Sequence, residues 1–153
     1  MYEVTSGRPV RLFCFAAVLL ALIYNLSLSW ALYSKNPLGD PAGYPSLART
    51  SRYFYDSGVR EPVPVFLVKA SQFLGLSDDL SVRVPTTALA CLQALILLLF
   101  LAERIGLVYG LAGALILALN PFLGFYCVQG SNNVTVGFFL MCFYFFLERE
   151  KNL

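Results

Sequence analysis

A chain of 153 residues that is 58% hydrophobic and only 13% charged has about half the charge of an ordinary soluble domain and is at most one domain. A net charge of +2 without a clustered basic patch excludes nucleic acid as a partner, and the absence of histidine removes the usual general base and the commonest metal ligand. The four cysteines, Cys14, Cys91, Cys127 and Cys142, lie in or beside apolar runs without CxxC spacing, so they read as small core residues and not as a zinc or disulfide framework.

Arg8 and Arg11 precede an uncharged run from Leu12 to Tyr33. A bilayer core needs about 20 apolar residues as helix, so this run spans, and it outruns the roughly 7 to 15 residues of a signal-peptide core. Trp30 and Tyr33 suit an aromatic belt at its far end. The polar stretch 34–83 follows as a long loop. Within it, Leu47, Ser51, Phe54 and Tyr55 share one helical face while Arg49, Arg52 and Asp56 share another, which predicts an amphipathic helix over Tyr44 to Asp56 that Gly58 ends. A second helix is predicted from Pro62, through an apolar stripe of Val63, Phe66, Leu67, Ala70, Phe73 and Leu74, to Gly75. Two such helices would lie in the interface and wall a groove. Gly75, Ser77 and Asp78-Asp79 form the turn and cap before Arg83.

Val84 to Ala102 is a second uncharged run. Ile105 to Leu147 carries no charge either, is about two crossings long, and is interrupted at Asn120-Pro121 and at Gln129 to Asn133. The predicted fold is therefore an all-α integral membrane domain of four spans, near 12–33, 84–102, 105–126 and 129–147. The long loop and the final hairpin turn lie on one side. Gly106 and Gly110 form a GxxxG-like pair that permits close packing of the third span. Lys and Arg are nearly balanced between the two sides, but those on the terminal side are denser, which places both termini in the cytoplasm and the 34–83 loop outside.

An outward loop makes Asp40 the residue to explain. Beside Pro41 and a few residues beyond the first span, its carboxylate could take a proton from an acceptor hydroxyl, or it could be the turn aspartate of a Gly-Asp-Pro corner. Arg60, Lys69 and Arg83 could hold phosphate oxygens; alternatively Arg60 pairs with Glu61 or Asp56, and Arg83 anchors the second span. Tyr44 could stack on a sugar, as could any interfacial tyrosine.

The order Gly39-Asp40-Pro41-Ala42-Gly43-Tyr44, Leu47-Ala48-Arg49, Gly58-Val59-Arg60-Glu61-Pro62, Leu74-Gly75-Leu76-Ser77 and Val82-Arg83-Val84-Pro85 resembles the first extracytoplasmic loop of the C-type glycosyltransferases, which include protein mannosyltransferases and the lipid A aminoarabinose transferase. Asn120-Pro121-Phe122 through Tyr126, followed by a polar cluster, is similar to that family's next outward turn. The resemblance implies a polyprenyl-phosphate-linked sugar as donor, an inverting transfer at the outer face of a bacterial plasma membrane, and Asp40 as general base. It places Tyr44, Arg60, Glu61, Lys69 and Arg83 around the substrates. Many members have a second acid beside the base and a further charge in the later turn. Here those places hold Pro41 and the amides of Gln129 to Asn133. A divalent metal is compatible with the resemblance but is not indicated by the residues. The family's enzymes have more spans, so a second membrane chain or a longer assembly is expected to complete the donor site. The other expectation is a non-catalytic subunit or lipid-binding partner with the same module.

Overall fold

The computed structural model describes residues 8–52 and 61–150, and these are helical apart from turns and short connections. The helices are α1 (Arg8–Tyr33), α2 (Tyr44–Thr50), α3 (Pro62–Phe73), α4 (Asp78–Arg104), α5 (Leu107–Ala118), α6 (Pro121–Val128) and α7 (Asn132–Glu150), with a 3₁₀ turn at Asp40–Gly43 ahead of α2.

Two of these helices are long and apolar enough to cross a membrane, α1 with 26 residues and α4 with 27. At about 1.5 Å per residue each reaches ~40 Å, beyond the ~30 Å of a hydrocarbon core. The expected count of four spans is corrected here. The stretch 105–126 is two helices of 12 and 8 residues, bent by 52°, which pass as one span only when taken together. The stretch 129–147 becomes α7, whose described apolar part, Asn132–Glu148, is shorter than the two long helices.

The break before α6 has a local cause. Asn120 is extended, as a residue before proline prefers, and its side-chain oxygen accepts from the Phe122 backbone N–H as an N-cap. Across the bundle, the Asn25 amide of α1 donates to the carbonyls of Ala118 and Asn120, both at 2.8 Å. The Ala118 carbonyl, which loses the Phe122 N–H to the Asn120 cap, therefore keeps a partner in the buried interior.

Val18 and Leu22 of α1, Ala94 and Leu98 of α4, and Ala114 and Ala118 of α5 form one core. A second joins Ala90 of α4, Leu123 and Cys127 of α6, and Val134 of α7. The close packing expected of Gly106 and Gly110 is shifted along the chain. Gly106 stands before α5 at φ 109, outside the helix, and the buried small residues of α5 are Gly110, Ala114 and Ala118. A Cβ on Gly110 would come within 2.8 Å of the α4 backbone, so only glycine allows this approach.

The loop between α1 and α4 folds as a cap with its own core of Tyr44, Ala48, Val65, Val68 and Val82. The start of α3 at Pro62 and the Ser77 cap with Asp78 and Asp79 in the first turn of α4 agree with expectation. The apolar stripe expected to lie in the interface is not the face that α3 turns to the protein. Pro64, Val65, Val68 and Ser71 face inward, whereas Phe66, Phe73 and Leu74 are exposed. The α3 sequence is apolar on two faces, and packing against α2 and α4 decides which is buried. The predicted helix over Tyr44 to Asp56 is described as far as Thr50, where Ser51 turns extended. Its remainder from Tyr53, with Gly58, lies outside the described residues.

Candidate functional site

A polar cleft of about 440 Å³ opens at the loop end of the bundle. Gly39, Pro41 and Tyr44 line it from the first loop, Glu61 from the start of α3, and Phe125, Tyr126, Gln129, Ser131, Asn132 and Asn133 from the end of α6, the turn after it and the start of α7. Two segments far apart in sequence thus face one space.

Several local features hold them there. The turn after α6 closes in a Schellman arrangement, with the Gly130 N–H bonded to the Cys127 carbonyl at 3.1 Å and the Ser131 N–H to the Tyr126 carbonyl at 2.9 Å. Gly130 takes φ +69, and a Cβ there would strike Val82 of α4, so the position needs glycine on both counts. Ser131 then accepts from the Asn133 N–H and starts α7. Tyr33 meets Phe125 edge-on at 5.1 Å, which fixes the end of α1 against α6.

Arg83 binds three segments together. It is 1% exposed; its Nε donates to Asp79 at 2.8 Å, its Nη2 to the Asn36 carbonyl at 2.9 Å, and its Nη1 to the Val128 carbonyl. The expected roles of phosphate ligand or interfacial anchor are replaced by this internal clamp, because its donors point at protein acceptors. Lys69 likewise donates to the Ser51 carbonyl and does not line the cleft. Gln72 donates to the Pro45 carbonyl and to Asp78, and Arg49 grips both oxygens of Asp78 at 2.6 and 2.8 Å. This hydrogen bonding from Arg49 holds the Asp78 carboxyl below its ordinary range and raises Arg49 in turn.

Of the residues singled out from sequence, Tyr44 and Glu61 line the cleft. Tyr44 is buried at 6% exposure, and Glu61 is half-buried. The backbone of Asp40 opens the 3₁₀ turn between the lining residues Gly39 and Pro41. Its side chain, and all of Arg60, lie outside the described residues. Pro41 and Phe125 were not anticipated as lining residues. The only signal for them was proximity to the two polar segments. No group of three or more residues able to hold a metal ion occurs among the described residues.

Comparison with protein-family models, with curated proteins and with solved structures finds no match.

Proposed function

We propose that this chain is the amino-terminal module of a membrane glycosyltransferase that moves a sugar from a polyprenyl-phosphate donor to an acceptor at the extracytoplasmic face. One observation carries the reading. Residues from three of the stretches that carry the resemblance, Gly39, Pro41 and Tyr44, then Glu61, then Phe125 and Tyr126, line a single polar cleft at one end of an apolar bundle. In this reading α1 and α4 cross the bilayer, the bent pair α5–α6 forms a third span and α7 a fourth, with the loop outside and both termini cytoplasmic. Large exposed apolar side chains, such as Leu12, Leu20, Ile116 and Phe143, support a lipid surround.

The chemistry asked of the cleft is modest. Asp40 takes the proton of the acceptor hydroxyl as that oxygen bonds the anomeric carbon and the carbon–phosphate oxygen bond breaks with inversion. Tyr44 and Glu61 border the same space and bind and orient the sugar or acceptor. Arg60 is assigned to the substrates by the resemblance alone.

A second reading is favoured by a specific observation. Lys69 and Arg83, expected at the lipid phosphate, are engaged with backbone carbonyls, and the later turn offers amides. This suits a non-catalytic membrane subunit or lipid-binding partner. The test is Asp40→Asn in native membranes, with the protein at normal level. Sugar transfer from the lipid-linked donor is expected to fall by at least about 100-fold. Unchanged transfer rejects the catalytic assignment, and recovery of a stoichiometric partner after mild detergent extraction supports the subunit.

A further inference from the structure

The two helices of the cap turn opposite kinds of surface outward. On α2 the exposed side chains include Ser46, Arg49 and Thr50, while Tyr44, Pro45 and Ala48 are buried. That is the polarity of a helix whose free face meets water. On α3 the free face is Phe66, Ala70, Phe73 and the capping Leu74, with half-buried Val63 at its head, at spacings that place all five on one side of the helix. Phe66 is 53% exposed, Leu74 79% and Phe73 92%. All three polar side chains of α3 are engaged with protein acceptors: Lys69 with the Ser51 carbonyl, Ser71 with the Leu67 carbonyl, and Gln72 with the Pro45 carbonyl and Asp78. The free face is left without a side-chain donor or acceptor.

Gly75 fixes the outward pair at its end. At φ 85 its N–H bonds the Gln72 carbonyl at 2.9 Å, and the Leu76 N–H bonds the Ser71 carbonyl at 3.2 Å. This Schellman close holds Phe73 and Leu74 on a hydrogen-bonded helix end.

The free face continues into the outer surface of the bundle in both directions. At its start, Pro62 and Val63 border the same open groove as Val136, Phe139, Leu140 and Phe143 of α7, all four well exposed. At its end, the Gly75 turn leads into α4, where Leu80 and Val84 are exposed as well. α4 is long and apolar enough to cross a bilayer, and Val84 opens its uncharged run. The medium that covers the apolar outside of α4 and α7 therefore reaches α3. A protein partner suits this face less well, because a specific interface carries about one hydrogen bond per 100–200 Å² and these side chains can make none.

We infer that α3 is a membrane-surface helix, with Phe66, Phe73 and Leu74 sunk into the acyl region of the leaflet at the loop end of the bundle, while α2 stays on the water side. Interfacial helices of this kind bury their apolar face by about 5–10 Å. The cap thus lies on its α3 side, and the polar cleft that Glu61 borders opens at the level of the lipid headgroups. The inference needs only that α1 and α4 cross a bilayer, and it stands whether or not the cleft transfers sugar.

The test puts one tryptophan on each cap helix. Trp30 is the sole tryptophan, so Trp30→Phe gives a silent background to which Phe73→Trp, Leu74→Trp or Ser46→Trp is added in the full chain. Each variant is reconstituted in phosphatidylcholine vesicles. Phosphatidylcholine brominated high on its acyl chains quenches from the lipid, and iodide present on both sides quenches from the water. Phe73→Trp and Leu74→Trp are expected to lose at least about half of their emission to the bromolipid and little to iodide, and Ser46→Trp the reverse. Quenching of Phe73→Trp and Leu74→Trp by iodide and not by bromolipid overturns the inference. So does protection of both from either quencher, which marks a second protein or a second copy of this chain over α3. Bromolipid quenching of Ser46→Trp as strong as that of Phe73→Trp overturns the division between the two helices. All three positions are exposed, so each variant is expected to keep the thermal midpoint of the Trp30→Phe background.

Discussion

Pro85 and Pro121 stand in two segments of similar apolar character and have opposite effects. α4 runs through Pro85 without a break, whereas Pro121 begins a new helix at a 52° bend. A proline in a helix removes one backbone donor and crowds the carbonyl four residues earlier. In α4 the neighbouring carbonyls of Val82 and Arg83 accept from the Thr86 and Thr87 hydroxyls, and the Arg83 side chain ties the same turns to two other segments. At Pro121 the preceding Asn120 is itself a good cap, and Asn25 donates to the Ala118 carbonyl left over. Proline proposes a break in a span, and the available polar partners decide whether it occurs.

The comparison can be broken most severely from the α4 side. Arg83→Leu orphans the Asn36 and Val128 carbonyls and should destabilise the fold by about 3 kcal/mol, read as a lower thermal midpoint in detergent. Arg83→Lys should not restore it, since one ammonium cannot reproduce the fork that reaches three acceptors. On the α6 side a smaller loss is expected. Asn25→Leu removes two interhelical hydrogen bonds from the interior of the bundle, worth about 1 kcal/mol together, and should raise amide exchange around Ala118 to Asn120. The smallest effect lies at the surface of the cap, in the exposed Arg49–Asp78 pair. Because the Asp78 carboxyl is lowered in the folded protein, its contribution is fully present above the ordinary value of 3.8 and is lost as pH falls through the lowered one. The difference in thermal midpoint between the native protein and Arg49→Gln should be slight at neutral pH and should close below that point.

Much of this was legible in the sequence because it depends on neighbours along the chain. Pro62 at a helix start, Gly75 past a helix end and Ser77 as a cap are local signals, and α3 begins and ends, and α4 begins, where these place them. The interruption at Asn120-Pro121 was legible for the same reason. The inward face of α3 was not, because its sequence carries two apolar stripes and only α2 and α4 choose between them. The role of Arg83 was equally hidden. An arginine beside a span reads as an anchor, and its acceptors are backbone carbonyls, which leave no mark on residue type. Of the residues singled out along the loop, Tyr44 and Glu61 line the cleft.

The Arg83 clamp also sets a schedule for synthesis. One of its acceptors, the Val128 carbonyl, lies 45 positions further along the chain. At some 5 to 20 residues per second, a ribosome delivers it roughly 2 to 9 s after Arg83 itself. Through that interval the guanidinium lacks its third acceptor, and the start of α4 is held through Arg83 only to Asp79 and Asn36. The α6 wall of the cleft is therefore joined to Arg83 only after all of α4 and α5 has been made.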